Sequence, residues 1–244
     1  MKLRQIMAAV MIISLTQLIG CGGGGGGGGD NTVVPAQSAM KGLWTGSEGT
    51  TSTSAIVLAN GEAWVVFQES GITTRFARLQ TQTSGTSFSS TGTQYKLQTS
   101  TTETASSTGT FANKTSITGI MTTASGNTNL VLAYDPRYET PATLNDAVGS
   151  WTGSFDNGSG SRTMNVAATG ALTGSSTTGC TYAGTVQPRT ADPALFDLSF
   201  TETCVVGGSS SFSGIATVNA AKTGISFAVT TADKTSGALF VGAK

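Results

Sequence analysis

The chain contains one short motif twice, as Gly42-Leu43-Trp44-Thr45-Gly46-Ser47 and, 107 positions later, as Gly149-Ser150-Trp151-Thr152-Gly153-Ser154. A Pro-Ala pair precedes each version, at Pro35-Ala36 and at Pro141-Ala142. Thr140 and Pro141 are residue types typical of a helix N-cap and a first helical position, so we expect each copy to open with one helical turn that leads into a strand. The motif therefore predicts an internal repeat, with copies at 35–140 and 141–244.

Short apolar runs separated by turn residues follow the motif in both copies. Asn60-Gly61 separates two such runs and predicts a type I′ hairpin, in which both turn residues adopt positive φ. Thr169-Gly170 has the corresponding place in the second copy. Further strand candidates are 74–82, 95–102, 116–122, 130–134, 180–186, 195–203, 212–218, 225–231 and 238–241.

Many short strands, without a helical segment long enough to cover a sheet, predict an all-β fold. We expect two tandem small antiparallel meander barrels, or barrel-like sandwiches, one for each copy. One continuous larger barrel is the alternative.

The N-terminus has the layout of a secretory signal peptide, with Lys2 and Arg4 before an apolar run at 6–15. Polar residues interrupt this run after about ten residues, whereas a membrane span needs about 20. The next residues, Leu18-Ile19-Gly20-Cys21, resemble the lipobox of bacterial lipoproteins. The resemblance implies that residues 1–20 are removed and that Cys21 is lipidated. An ordinary cleaved signal peptide is the alternative.

The residues after Cys21 bear on location. An aspartate after the cysteine commonly marks retention in the inner membrane of Gram-negative bacteria, and this chain has Gly22, so the resemblance implies the outer membrane. Residues 22–29 are all glycine, which has great backbone freedom and no side chain to pack. We therefore expect 21–34 to be a flexible tether.

Two cysteines remain, Cys180 and Cys204, and an exported chain passes through an oxidising compartment. A hairpin centred on Asp192 places them directly opposite each other. The same register pairs Val186 with Leu198 and puts Phe200 opposite a glycine, with alternate apolar residues on one face. Spacing and hydrophobic alternation therefore indicate the same pairing, and we predict a Cys180–Cys204 disulfide.

A Gly-x-Trp sequence at the start of the first strand, after a helical turn, resembles the opening of calycin-type barrels such as lipocalins and avidins. Gly42-Leu43-Trp44 and Gly149-Ser150-Trp151 carry this resemblance. It implies eight-stranded antiparallel meanders in which the tryptophan plugs the closed end. Each copy has only about 100 residues, so we expect side chains to fill most of the interior.

Composition limits the chemistry. The chain has no histidine, the commonest general base and metal ligand. Its 13 basic and 13 acidic residues cancel, which gives nucleic acid no basic surface. We therefore predict no enzymatic activity, metal or cofactor. Asp135 and Glu139 could form an acid/base couple, as in a carboxylate-based hydrolase, but they are interpreted as caps of the linker between the copies. Asp156-Asn157-Gly158 is interpreted as a turn rather than a calcium loop.

The predicted function is that of an outer-membrane-anchored bacterial lipoprotein that acts in surface display, adhesion or envelope interaction. Its expected partner is the membrane, reached through the lipid anchor. The alternative is a calycin-like lipoprotein that binds a small ligand at a barrel mouth or between the copies. In that case Trp44, Trp64 and Trp151 are the aromatic candidates.

Overall fold

The computed structural model describes residues 38–156 and 160–244, and Pro35–Lys244 forms one compact unit. The predicted signal peptide (1–20), Cys21 and the predicted tether (21–34) lie outside the described residues. None of the described helices has the length and apolar character needed to cross a bilayer.

The described residues form two closed barrels, each a meander of eight antiparallel strands in which the first strand also pairs with the last. Barrel 1 consists of β1–β8, at Gly42–Glu48, Thr51–Val57, Glu62–Glu69, Ile72–Ser84, Ser87–Lys96, Thr101–Ala112, Ser116–Thr123 and Gly126–Asp135. Barrel 2 consists of β9–β16, at Gly149–Phe155, Arg162–Val166, Ala171–Ser176, Cys180–Pro188, Phe196–Cys204, Gly208–Val218, Gly224–Thr230 and Gly237–Ala243. The prediction of two tandem barrels is confirmed, and the alternative of one larger barrel is wrong.

The repeated motif has the same structural role in both barrels. Trp44 and Trp151 are fully buried. The indole Nε1 of each donates a hydrogen bond to the carbonyl four residues earlier, to Met40 at 3.0 Å and to Ala147 at 2.8 Å. Each tryptophan therefore fixes the short turn that covers one end of its barrel, here called the closed end.

The second glycine of the motif explains how the barrels close. A Cβ at Gly46 would lie 2.0 Å from the carbonyl oxygen of Val131, and a Cβ at Gly153 would lie 2.0 Å from that of Val241. Val131 and Val241 belong to the last strand of each barrel. Only glycine lets the first strand approach the last strand this closely.

The first hairpin has the predicted position but not the predicted turn. Gly61 adopts a positive φ of 82°, whereas Asn60 does not, so the type I′ prediction is wrong. The loop is longer than two residues, because Leu58 bonds across it to Glu62. The Asn60 side chain accepts a hydrogen bond from the backbone of Glu62 at 3.0 Å, and the left-handed residue follows it.

The predicted helix start at Thr140 is also wrong. Helix α1 spans Leu144–Ala147, and its N-cap is Thr143, whose backbone amide donates to the Asp146 carboxylate at 2.8 Å. Thr140 instead ends a 3₁₀ helix at Pro136–Glu139. Its backbone amide donates to the carbonyl of Arg137 at 3.1 Å and is therefore used at a helix end rather than at a helix start.

Among the strands, the candidate 95–102 is wrong because it spans the turn between β5 and β6. This part of the chain is rich in Ser and Thr, so apolar alternation does not mark the strand ends. The pairing of β12 with β13 is confirmed residue by residue, with Cys180 opposite Cys204, Gly184 opposite Phe200 and Val186 opposite Leu198. The cysteines form a disulfide with an S–S distance of 1.97 Å.

The two barrels pack side by side through outward-facing side chains. Trp64, Phe76 and Tyr95 of β3–β5 form one buried cluster with Ile215, Ala228 and Leu239 of β14–β16. Polar bonds cross the same boundary, from the Tyr95 hydroxyl to the carbonyl of Lys234 at 2.9 Å and from Arg78 Nη1 to Thr230 Oγ1 at 2.6 Å. The interior clusters of the two barrels are separate from this one.

Candidate functional site

The end of each barrel opposite its motif tryptophan is here called the mouth. Both mouths lie on the same side of the molecule, because Lys96 and Thr101 of barrel 1 line one cavity together with Arg162 and Thr235 of barrel 2. The backbone amide of Ser38, the first described residue, donates a hydrogen bond to the carbonyl of Ala59, which follows β2 at the closed end of barrel 1. The chain therefore enters barrel 1 at the end away from the mouth.

The mouth of barrel 1 is polar. Arg75 on β4 and Lys96 on β5 are direct cross-strand neighbours, and Gln94 lies one inward-facing position deeper, opposite Glu103 on β6. These strands border a cavity of about 380 Å³. It is lined by Glu69, Thr74, Arg75, Gln94, Lys96, Gln98, Thr99, Thr123, Ser125, Gly126, Asn127 and Thr128.

The charged groups of this mouth are paired. Arg75 forms an ion pair with Glu69, and its guanidinium lies 4.7 Å from the centre of the Phe67 ring. Lys96 Nζ lies 3.3 Å from the Glu103 carboxylate. Burial raises the pKa of Glu103, but hydrogen bonds from Ser125 and Lys96 outweigh burial, so the pKa is lowered and the carboxylate is ionised at neutral pH.

Gln94 departs from this pattern of satisfied groups. Its side chain is 2% exposed, and its Nε2 donates to Glu103 Oε1 at 2.6 Å. A carboxylate accepts only from the amide nitrogen, so this bond fixes the orientation of the amide. Gln94 Oε1 then has no hydrogen-bond partner among the described residues, and neither has the buried hydroxyl of Thr74. A buried polar atom without a partner costs about 1–3 kcal/mol.

Barrel 2 provides an internal comparison. The strand pairings that start at Trp44 in barrel 1 and at Trp151 in barrel 2 relate each position of one barrel to a position of the other. Cys180 then corresponds to Arg75, Cys204 to Lys96 and Glu202 to Gln94. The two cations of the barrel 1 mouth are thus replaced by the disulfide. Glu202 has a partner, because it accepts a hydrogen bond from the Tyr182 hydroxyl at 2.9 Å.

Aromatic rings fill barrel 2 below its mouth. The ring centres of Phe155, Tyr182, Phe200, Phe212, Phe227 and Phe240 lie 4.6 to 6.2 Å from their neighbours. Smaller side chains occupy the corresponding positions of barrel 1. Tyr182, Phe200, Phe212, Phe227 and Phe240 correspond to Ala77, Gly92, Ala105, Gly119 and Leu130, respectively. Barrel 2 is therefore packed with aromatic rings and cross-linked at its mouth, where Phe200, Glu202 and Phe212 border a cavity of about 260 Å³, whereas the mouth of barrel 1 is polar and its cavity is larger.

The aromatic candidates from the sequence do not reach this mouth. Trp44 and Trp151 belong to the two barrel cores, and Trp64 lies in the cluster between the barrels. Each is at most 1% exposed. Trp64 Nε1 also donates to Glu62 at 2.7 Å. These side chains therefore stabilise the fold and leave no ring free to stack on a ligand.

The acidic candidates have structural roles. A hydrogen bond from Arg137 lowers the pKa of Asp135, which also caps the 3₁₀ helix. Hydrogen bonds from Lys114 and Tyr134 lower the pKa of Glu139. Both carboxylates are therefore ionised at neutral pH, and each is bound to a different cation. Neither has the raised pKa that a general acid needs.

Asp156 is the described part of the third acidic candidate, since Asn157 and Gly158 lie outside the described residues. Its Oδ1 accepts a hydrogen bond from the backbone of Leu239 at 2.7 Å, and burial raises its pKa to about 6. Cys180, Glu202 and Cys204 are close enough to form a cluster of metal-ligand type. Their two sulfur atoms are bonded to each other, so they offer no thiolate to a metal.

Sequence reasoning missed Gln94 and Thr74, because both lie in Ser/Thr/Gln-rich strands where one polar residue resembles the next. The available signal was the charge of Arg75, Lys96 and Glu103 in a chain with only 11% charged residues. Placing the three at one barrel end required the register.

No protein-family model and no curated protein matches the chain. One solved structure is similar in part. It is a protein of unknown function from Nostoc punctiforme that belongs to the DUF3598 family. The two chains share 12% identity over 84% of this chain and 95% of the other, with a TM-score of 0.28.

Proposed function

We propose that the chain is a lipid-anchored protein of the bacterial envelope that binds a small ligand at the mouth of barrel 1 and has no enzymatic activity. Gln94 carries this proposal. A side chain that is 2% exposed holds an unpartnered acceptor beside a cavity of about 380 Å³. In barrel 2 the corresponding residue is satisfied.

The difference between the two barrels supports a binding role over a purely structural one. Barrel 2 shows that this fold can occupy the same positions with aromatic rings and a disulfide. Barrel 1 keeps buried polar atoms without partners in the same place, at a cost in stability that a ligand would offset. Of the two functions expected from the sequence, we therefore propose small-ligand binding rather than surface display, adhesion or envelope interaction.

The anchor rests on the lipobox resemblance of Leu18-Ile19-Gly20-Cys21. Because Ser38 lies at the closed end, a chain that begins at a lipidated Cys21 joins barrel 1 away from its mouth. Metabolic palmitate labelling tests this anchor. The wild-type chain should be labelled and Cys21→Ser should not, and an unlabelled wild-type chain would refute the anchor. Protease shaving of intact cells then shows which side of the outer membrane the barrels face.

Binding is tested with the full chain in lauryldimethylamine oxide micelles, against a panel of monosaccharides, amino acids, nucleosides and small organic acids. A ligand that binds only the native state raises Tm. We expect at least one compound to raise the Tm of the wild type and of Glu202→Gln by more than it raises the Tm of Gln94→Leu. Glu202→Gln is the matched control, because it changes the corresponding position of barrel 2. A panel without any Gln94-dependent shift would contradict the proposal.

A further inference from the structure

We infer that the mouth of barrel 1 takes an uncharged, polyhydroxylated ligand of the saccharide type. This inference rests on the proposed function and specifies its ligand. Three properties of the mouth lead to it: its charge balance, its unpartnered atoms and the residue types of its lining.

The charge balance disfavours an ionic ligand. Arg75 is held by Glu69, and Lys96 is held by Glu103. An anion would have to take a cation from its carboxylate, and the displaced carboxylate would then face the anion at close range. A cation would meet Arg75 and Lys96 in the same way. A neutral ligand disturbs neither pair and needs no counter-charge.

The unpartnered atoms set the type of hydrogen bond. Gln94 Oε1 can only accept, so the ligand has to donate to it. The Thr74 hydroxyl can donate or accept. A ligand hydroxyl satisfies both, because it carries one donor and two acceptor lone pairs. An apolar ligand would bury both atoms without partners, which is unfavourable.

The rest of the lining repeats this chemistry. Hydroxyls and amides line the cavity at Gln98, Thr99, Thr123, Ser125, Asn127 and Thr128. Amides and hydroxyls carry both donors and acceptors, as neighbouring sugar hydroxyls do. The hydroxyls of Thr123 and Ser125 already donate to Gly126 and Glu103, so they offer a ligand acceptors. A cavity of about 380 Å³ lies at the lower end of the range for small-molecule sites, which suits one or two sugar rings.

The test compares sugars that share one hexose ring and differ in net charge. Saturation-transfer NMR is recorded on the full chain in lauryldimethylamine oxide, a detergent without a sugar headgroup. The probes are D-glucose, D-galactose and D-mannose as neutral hexoses, D-glucuronate as the anion and D-glucosamine as the cation. We expect at least one neutral hexose to bind, with glucuronate and glucosamine about tenfold weaker or undetectable.

Two variants locate the binding. Gln94→Leu removes the free acceptor and Thr74→Val removes the free hydroxyl at almost constant volume. Loss of one hydrogen bond should weaken hexose binding about three- to tenfold in each. Thr74→Val removes a buried hydroxyl that has no partner, so its Tm should not fall, and a folding defect would not explain weaker binding. Glu202→Gln in barrel 2 should bind as the wild type does.

The outcomes separate the two proposals. Gln94-dependent binding of glucuronate or glucosamine without any neutral hexose overturns the saccharide inference but leaves the binding mouth in place. Hexose binding that survives both Gln94→Leu and Thr74→Val overturns the assignment to this mouth. Binding of no hexose overturns the inference, and the wider compound panel then decides whether the mouth binds anything else.

Discussion

The carboxylate of Asp192, in the loop between β12 and β13, accepts a hydrogen bond from the backbone amide of Ala59 in barrel 1 at 2.7 Å. The same oxygen accepts from the Tyr138 hydroxyl at 2.8 Å, and Arg189 Nε lies 3.0 Å from the other oxygen. Asp192 is 0% exposed. Burial, reinforced by the Asp192 carboxylate, raises the pKa of Tyr138, so the phenol stays protonated and continues to donate. One carboxylate thus connects barrel 1, the linker and barrel 2.

Asp192→Ala should therefore be strongly destabilising. It leaves the Ala59 amide, the Tyr138 hydroxyl and the Arg189 cation without their buried acceptor, and breaking a buried charged pair costs about 3–5 kcal/mol. Tyr138→Phe is the matched control, because it removes a single hydrogen bond worth about 1 kcal/mol. Equilibrium urea unfolding measures both. Equal losses in the two variants would show that Asp192 does not hold the barrels together.

Gly46→Ala and Gly153→Ala should each weaken the pairing of the first strand with the last strand in one barrel. The new methyl group would lie 2.0 Å from a carbonyl oxygen of the last strand, so the strands have to move apart. We expect a loss of about 1–3 kcal/mol, the usual range for overpacking. Thr45→Ala, at an exposed neighbouring position, should change stability little. Hydrogen exchange should show faster exchange of the β1 and β8 amides in Gly46→Ala; unchanged exchange there would argue against this account of the motif.

Asp156→Asn should be more stable than the wild type at pH 7. Burial raises the pKa of Asp156 to about 6, above the value of an unfolded aspartate, so the folded state binds the proton more tightly. The contribution of Asp156 to stability is therefore full below about pH 4 and is lost as the pH rises through about 6. An asparagine can still accept from Leu239 without this ionisation, and the gain at pH 7 should be about 3 kcal/mol.

The measurement is the difference in unfolding free energy between Asp156→Asn and the wild type at pH 4, 5, 6 and 7. Taking the difference removes the other acids, such as Asp135 and Asp146, whose pKa values are lowered by their partners. The difference should grow as the pH rises. A constant difference would mean that Asp156 titrates normally.

Replacing both cysteines of barrel 2 by alanine should lower stability by about 3 kcal/mol in the chain-entropy treatment of a loop this long. The cysteines are 24 positions apart, and their disulfide cross-links the mouth of barrel 2 at the positions that correspond to Arg75 and Lys96 of barrel 1. Thermal unfolding with and without dithiothreitol checks this. The reductant should lower the Tm of the wild type to that of the double variant and leave the double variant unchanged. A wild-type Tm insensitive to full reduction would contradict the prediction.

Prediction from the sequence was most reliable where two independent patterns indicated the same structure. The β12–β13 register was predictable because Cys180 faces Cys204 and Val186 faces Leu198 in one and the same pairing. The stretch 95–102 has no such second signal, and its Ser/Thr composition hides the turn between β5 and β6. The type I′ prediction at Asn60-Gly61 was wrong. The two turn residues alone do not reveal the hydrogen bond that the backbone of Glu62 donates to the Asn60 side chain.

The contact between the barrels and the binding mouth were not predictable for a different reason. Trp64, Phe76 and Tyr95 look like core residues in the sequence, and they are buried, but against the other barrel rather than inside their own. Gln94 becomes unusual only when its amide nitrogen is bonded to Glu103 and its oxygen is left without a partner in a residue that lines the cavity. Both facts depend on pairs of strands and not on any single segment.

Closure of both sheets has a consequence for how such a chain behaves at high density. A chain rich in Ser, Thr and Gly, with 11% charged residues and no net charge, has little electrostatic repulsion to keep copies apart. Open strands of this composition would offer free backbone groups to their neighbours and could grow into fibrils. In each barrel the last strand bonds to the first, so the described sheets have no free margin on which another copy could polymerise.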